Sequence, residues 1–438
     1  MLNKIGNYLL YAFALLLPWQ TRYIFRQGEI AGGASEYSTI SLYVVDIVIL
    51  SALLLFSVDL WRRRREAGTA FKGSKMAWLI VVFLIIAVGS ILSVIDKSVG
   101  LFDAGRLFVA SLAVLAIHFR ALDKRKFLKI LLISLAIQGI LGTYQFTQQK
   151  SFASKWFGLA HHESSAGGSS VVEFMGEDGL GQRWLRAYGG QDHPNIFGGL
   201  MVFGLLLALY LSFTNEPEDG DDRFIDGDLL LMILIFFIGT VVSFSRAAWL
   251  AFVIGWLILF VISILKKEKG KQLQVLKIFL FSILIIVSMI FFYGGLIKVR
   301  IMGGTRLEMK STQERIASYK QAWPILKEHY LLGTGIGGYV NTLEKNIPNQ
   351  PSWFYQPVHN SLLLMLIELG VFGFVAFSAI MYLLFQRLWR EKKAAQIYKL
   401  PILLALLVMM MLDHWFWSLH IGIFVLALVM WFVWDDKI

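Results

Sequence analysis

Apolar side chains occur in long unbroken runs along the whole chain, and short polar segments separate these runs. A bilayer core about 30 Å thick is crossed by about 20 apolar residues in a helix. The pattern therefore indicates an all-α polytopic membrane protein with a single membrane domain. It predicts twelve transmembrane helices, at residues 5–19, 40–60, 76–95, 99–117, 127–146, 195–213, 229–243, 247–265, 276–293, 359–385, 400–412 and 417–434.

The seventh and eighth spans belong to one run, Leu229 to Leu265, that is too long for a single crossing. Arg246 is its only charge, and the preceding Ser-Phe-Ser sequence interrupts it. We therefore predict a tight turn between two antiparallel helices at this point. The first span is short enough to suggest a signal peptide, but it lacks a small-x-small cleavage site and is predicted to be retained.

Composition supports the membrane interpretation, since 57% of the residues are hydrophobic and 16% are charged. Soluble domains carry about 25% charged residues. The net charge of +11 would suggest nucleic acid in a soluble protein, but most of these cations lie in loops, and no nucleic-acid partner is predicted. The chain has no cysteine, which excludes disulfides and thiolate metal sites.

The distribution of Lys and Arg predicts the orientation. With a cytoplasmic N-terminus, segments such as 61–75 that lie inside carry 24 of these residues and the outer segments carry 16. Twelve of the 16 lie in two long loops, 147–194 and 294–358, and long loops translocate with less regard to charge. Both termini are therefore predicted to be cytoplasmic and both long loops external. The acidic run at 216–228 fails the calcium-loop pattern and predicts a solvated cytoplasmic loop.

The second long loop is predicted to be partly helical, and the glycine- and serine-rich first loop irregular. Between residues 308 and 329, apolar side chains recur at a spacing of three to four residues, at Ile316, Tyr319, Trp323 and Leu326. This spacing is typical of an amphipathic helix lying along the membrane interface.

Two outer positions have both a structural and a chemical interpretation. Arg246 at the tight turn either extends to the lipid head groups or holds a lipid diphosphate in a bidentate manner. His359, which opens the tenth span beside Asn360, is either a helix-capping residue at the interface or a general base near neutral pH.

Other polar groups favour structural roles. Asp103 and Arg106 are spaced for an ion pair within one helix, although they also suit an outward-facing cavity. Glu368 is predicted to make structural hydrogen bonds. The glycine-rich segment 333–338 lacks the context of a dinucleotide site, but its N–H groups suit a phosphate. No spacing matches a helical metal-ligand pair, so no metal is predicted.

Several short fragments occur in a fixed order along the chain. They are Arg186–Gly189 with Asp192–Asn195, Ser243–Trp249, Glu314-Arg315, Leu331–Tyr339, His359–Leu364, Glu368–Gly370 and Gly373. Together they resemble the O-antigen ligase and polymerase superfamily of membrane glycosyltransferases, and the resemblance covers about residues 185–375 by motif and the whole chain by topology.

The resemblance implies a GT-C-like enzyme in the bacterial inner membrane that works on the outer face. It would transfer a glycan from undecaprenyl diphosphate to a hydroxyl, with inversion and without metal or cofactor. The acceptor would be lipid A-core for a ligase or another lipid-linked glycan for a polymerase. His359 is the implied base on the acceptor, and Arg246 and Arg315 are implied to bind the leaving diphosphate. The candidate substrate-binding residues are Arg106, Arg186, Asp192, His193, Asn195, Arg300 and Asn360.

Two other function classes remain open from the sequence. A transporter or flippase of lipid-linked oligosaccharide fits twelve spans, but transporters often break helices near mid-membrane with Pro or Gly. Here the eight prolines lie at the ends of predicted spans or outside them, which favours the enzyme. A non-catalytic scaffold for envelope assembly is the third possibility.

Overall fold

The structure is a computed structural model, and it describes residues 2–62, 74–175, 181–214, 227–390 and 394–436. Most of the basic segment predicted at 61–75 and of the acidic run predicted at 216–228 lies outside the described residues.

Helices make up most of the described chain. The long and medium helices are α1 Leu2–Leu16, α2 Val44–Arg62, α3 Lys75–Ser90, α4 Lys97–Phe119, α5 Lys124–Gln148, α6 Pro194–Thr214, α7 Gly227–Val242, α8 Arg246–Leu265, α9 Lys269–Met302, α10 Arg306–His329, α12 Ser361–Arg390, α14 Leu400–Leu412 and α16 His420–Trp434. The short helices are α11 Tyr339–Asn346, α13 Ala394–Ile397 and α15 Trp415–Ser418.

Three two-stranded antiparallel sheets accompany the helices in the described part of the chain. Their strands are β1 Arg22–Arg26 with β4 Ile40–Tyr43, β2 Glu29–Ile30 with β3 Gly33–Ala34, and β5 Val171–Met175 with β6 Gly181–Leu185. The predicted start of the second span at residue 40 is therefore wrong, because 40–43 pair with β1 and the helix begins at Val44. Loop 147–194 likewise contains a hairpin where an irregular segment was predicted.

Seven helical stretches of the described residues are long and apolar enough to cross a membrane. They are α3, α4, α5, α6, α8, α9 together with α10, and α12, while α7, α14 and α16 are apolar but shorter. The all-α polytopic class is thus confirmed, and the count of twelve spans stays a prediction. The predicted amphipathic helix corresponds to α10.

Helix α6 is the centre of the molecule and is buried along almost its whole length. Its glycines let neighbouring side chains approach closely. A Cβ atom at Gly199 would lie 2.6 Å from the Trp415 ring, and one at Gly204 would lie 2.9 Å from Phe236. Because α6 is rigidly enclosed, the residues at its N-terminal end are held in fixed positions.

The segments predicted to be cytoplasmic meet at one end of the bundle. The Asn7 side chain donates to the Ala121 carbonyl at 2.9 Å, and Lys124 pairs with Asp435 near the C-terminus. Candidate site residues predicted to be external gather around the N-terminal ends of α6, α8 and α12.

A glycine-rich loop between α10 and α11 packs on α12 through Glu368. The Gly337 and Tyr339 N–H groups donate to its carboxylate at 3.0 and 3.4 Å, and Trp417 Nε1 donates at 2.8 Å. The structural role predicted for Glu368 is confirmed. The Gly337 N–H that suited a phosphate is already bonded to this carboxylate.

Gly333→Ala is expected to lower stability, because Gly333 has a positive φ and a Cβ there would lie 2.2 Å from the Glu368 carbonyl oxygen. The expected loss is about 1–3 kcal/mol, measured as a lower Tm of the purified protein in detergent. Gly105→Ala in α4 is the control, because nothing lies within 4 Å of its Cβ position. An unchanged Tm for Gly333→Ala would contradict the packing described for this loop.

Candidate active site

The site is built around a break between two apolar helices. Helix α14 ends at Leu412, Asp413 has extended backbone angles, and the chain resumes in α15 and then α16. The 13 residues of α14 rise about 20 Å at 1.5 Å per residue, which is less than the bilayer core of about 30 Å. Asp413 and His414 therefore lie about 20 Å along the helix axis from the N-terminal end of α14. This distance is shorter than the thickness of the bilayer core.

The backbone of Asp413 fixes the start of α12. Its carbonyl oxygen accepts from the Ser361 N–H at 2.9 Å and from Ser361 Oγ at 2.7 Å. Both atoms of Ser361 are buried against the break. His359, two residues earlier, is thereby held beside Asp413.

The Asp413 carboxylate connects three segments of the chain. Its Oδ2 accepts from Asn195 Nδ2 at 2.8 Å, and its Oδ1 accepts from the His414 N–H at 2.8 Å. His359 Nδ1 lies 4.0 Å from Oδ1 and is buried without a hydrogen-bond partner among the described residues. Burial alone would raise the pKa of Asp413, but the His359 side chain and the neighbouring His414 and His193 outweigh it and hold this pKa well below its ordinary value. Asp413 is therefore an anion at neutral pH.

Arg186 fixes the side chain of Asn195 by a hydrogen bond. Its Nη2 donates to Asn195 Oδ1 at 2.7 Å, and its Nε donates to the Ser243 carbonyl at 2.9 Å. The side chain is buried, and burial together with the charges of Arg300 and Arg246 lowers its pKa. These contacts make Arg186 and Asn195 positioning residues that join the Ser-Phe-Ser turn to Asp413.

Arginines converge on one side of the site around a single buried carboxylate. Glu308 forms an ion pair with Arg300 through Oε1, and its Oε2 lies 3.4 Å from Arg246 Nη1. Arg300 Nε also donates to the Phe244 carbonyl at 2.6 Å, in the predicted tight turn, where Phe244 has a positive φ. Arg315 donates to the Leu412 carbonyl at 3.1 Å and interacts electrostatically with Arg300. Cations thus exceed anions in this group, which suits an anionic ligand.

Three histidines surround Asp413 in different environments. His193 is exposed, and its Nδ1 accepts from the Asn195 N–H at 3.1 Å and so carries no proton. Burial lowers the pKa of His414 to about 4. The His359 ring lies 5.3 Å from that of His414, and its side chain is 23% exposed, more than that of Asp413.

The structure places the remaining predicted residues at the margins. Asn360 caps α12, with Oδ1 accepting from the Leu363 N–H at 2.9 Å and Nδ2 donating to the Tyr319 hydroxyl at 3.3 Å. Arg106 pairs with Asp103 in the predicted intrahelical manner. Asp192 is exposed at the margin of the site.

A group of potential metal ligands coincides with this centre. The ligand atoms of His359, Asp413 and His414 lie within 4.8 Å of one another. However, both Asp413 oxygens already accept hydrogen bonds, and His414 Nδ1 lies 2.7 Å from Ser418 Oγ. The same residues thus suit either a metal ion or an imidazole supported by a carboxylate.

Sequence reasoning missed Asp413, His414 and Glu308. The first two had a usable signal, since a carboxylate and an imidazole together between two apolar runs are expensive in a membrane unless they have a function or partners. Glu308 lay in a long charged loop, where nothing in the sequence distinguished it from its neighbours.

Comparison with known proteins gives one family. Residues 231–378 match the family model described as O-antigen ligase, and this segment contains Arg246, Arg300, Arg315 and His359. No curated protein matches the chain. Asp413 and the 186–195 segment lie outside the matched residues. Within residues 231–378, the chain is therefore similar to the O-antigen ligase family.

Proposed function

We propose that this protein transfers a glycan from an undecaprenyl-diphosphate donor to a hydroxyl acceptor on the outer face of the bacterial inner membrane. The similarity of residues 231–378 to the O-antigen ligase family supports glycan transfer of the ligase or polymerase type in general. The proposed donor and base are supported by the position of His359 beside the Asp413 anion. An arginine group with excess positive charge lies next to this pair.

The arginine group is suited to the donor diphosphate. The Arg246 side chain is 39% exposed, so its guanidinium is accessible while one nitrogen faces Glu308. Arg315 is half-buried, and its Nη1 donates a hydrogen bond to the Leu412 carbonyl. Guanidinium groups match phosphate oxygens in a bidentate geometry. Arg300 and Glu308 are buried as an ion pair, and Glu308 holds Arg246 in position.

His359 is suited to activate the acceptor. Its buried Nδ1 faces Asp413, which leaves Nε2 for the acceptor hydroxyl. In the reaction Nε2 takes the hydroxyl proton, the acceptor oxygen forms a bond to the anomeric carbon, and the bond from that carbon to the diphosphate oxygen breaks. The electron pair leaves with undecaprenyl diphosphate, and attack from the opposite face inverts the anomeric centre. Asp413 then stabilises the imidazolium, and the arginines stabilise the charge on the leaving group.

Charge neutralisation by arginine makes a divalent cation unnecessary in this proposal. A diphosphate is already a good leaving group, and cations held in a low-dielectric site are effective stabilisers of developing negative charge. The acceptor is either lipid A-core, as for a ligase, or a second lipid-linked glycan, as for a polymerase.

His359→Ala is expected to reduce transfer by about 10²–10⁴-fold, because the proton acceptor is lost. The measurement is release of undecaprenyl diphosphate from lipid-linked glycan on addition of acceptor, with purified protein. His329→Ala is the matched control, since His329 lies at the end of α10 and pairs only with Glu328 among the described residues. Normal transfer by His359→Ala at normal membrane levels would refute the assignment of the base.

Arg246→Ala and Arg315→Ala are each expected to lower transfer by about 10²–10³-fold, as when one oxyanion-stabilising donor is removed. Lysine at either position should recover part of the rate, because it restores charge without the bidentate geometry. Arg306→Ala is the control, since this arginine is 76% exposed and pairs with Glu173. Equal losses in all three alanine variants would point to a general charge effect.

Transfer by purified protein is expected to persist in excess chelator. Loss of activity in chelator, with recovery on adding one divalent cation, would instead assign His359, Asp413 and His414 as its ligands. A His414→Ala variant then separates the two cases, because it removes a metal ligand but leaves His359 and Asp413 in place.

A further inference from the structure

The segment from β1 to β4, Arg22 to Tyr43, brings an aromatic ring to the histidines of the site. Tyr37 lies between β3 and β4, and its ring meets that of His414 edge-on, with centroids 5.6 Å apart. The His414 ring lies 5.3 Å from that of His359. Tyr37 is therefore one ring away from the proposed base.

Contacts with α11 hold the segment from β1 to β4 in place. The Ala31 N–H donates to Glu344 Oε1 at 2.8 Å, and Ser38 Oγ lies 3.4 Å from Asn341 Oδ1. Both contacts join residues that are far apart in the sequence. Tyr37 thus belongs to a fixed wall of the site.

The side of the site near Tyr37 has the opposite charge character from the arginine side. Asp192 is exposed and lies three residues before Asn195, whose Nδ2 donates to Asp413 at 2.8 Å. Among the described residues its carboxylate accepts no hydrogen bond, and the charges that act on it are those of Glu36 and Arg22, which pair with each other at an Nη2 to Oε2 distance of 2.8 Å. The pKa of Tyr37 is raised by burial and then by Asp413, Glu36 and Asp192.

This contrast separates two kinds of ligand. A diphosphate is attracted to the arginine side and repelled by the carboxylates of the Tyr37 side. A neutral sugar presents hydroxyl donors to a free carboxylate and a C–H face to an aromatic ring. The acceptor must reach His359 from a side that the donor diphosphate does not occupy.

We infer that Tyr37 and Asp192 form the subsite that binds the acceptor glycan and selects it. The inference rests on the proposed function, and it assigns the acceptor side of the same site. Both residues lie outside the segment 231–378 that matches the family, so acceptor selectivity would be set by the N-terminal part of the chain.

The test compares substrate kinetics of Tyr37→Ala and Asp192→Asn in purified protein. The donor is lipid-linked glycan from the producing strain. The acceptor, titrated separately, is either lipid core from that strain or its glycan released by mild acid. Each variant is expected to raise the acceptor KM about tenfold, the effect of losing one ring contact or hydrogen bond. The donor KM should stay unchanged. Tyr23→Ala is the matched control, because this tyrosine lies on β1 and is 68% exposed.

A raised donor KM with an unchanged acceptor KM in Tyr37→Ala and Asp192→Asn would overturn the inference, and so would kinetics equal to those of Tyr23→Ala. The His359→Ala variant separates this failure from failure of the proposed function. If His359→Ala is inactive while both subsite variants behave as wild type, only the acceptor subsite is wrong. If His359→Ala transfers glycan normally, the proposed function itself fails. Loss of folding is recognised from the Tm in detergent.

Discussion

The arrangement of the site depends on the hydrogen bonds that satisfy the buried carboxylate of Asp413. An unpaired anion in a low-dielectric interior is costly, so its oxygens must be satisfied by protein groups. Asn195 and the His414 N–H do this by hydrogen bonds, and His359 from a third segment lies 4.0 Å away. Because Arg186 holds Asn195 and also the Ser243 carbonyl, the turn that carries Arg246 is fixed relative to the same carboxylate.

The arginine group follows a different electrostatic principle. Glu308 is one carboxylate facing two arginines, and Arg315 adds a further cation nearby. Such an excess is tolerable where some guanidinium surface remains accessible and a ligand anion can enter, as at Arg246. The site therefore combines a buried ion pair between Glu308 and Arg300 with positive charge that no protein carboxylate neutralises among the described residues.

Rigid supports outside the site maintain both groups. Helix α6 is enclosed on all sides and presents Asn195 from its first turn. Glu368 ties the glycine-rich loop to α12 and, through Trp417, to the break that contains Asp413. The scaffold thus couples the glycine-rich loop between α10 and α11 to the helical break.

The sequence by itself determined the all-α membrane class, the tight turn before Arg246, the amphipathic helix α10, the structural role of Glu368 and the resemblance of residues 231–378 to the O-antigen ligase family. These follow from local signals, namely long apolar runs, helical spacing and motif order. Only the tertiary structure decided that Arg186, Asn195 and Asp413 form one connected chain, that Glu308 pairs with Arg300, and that Tyr37 reaches His414. The strand at 40–43 also escaped prediction, because its partner β1 alone provides its hydrogen bonds. Pairings between residues hundreds of positions apart have no periodicity in the sequence, since they are set by which buried groups must satisfy one another once the helices have packed.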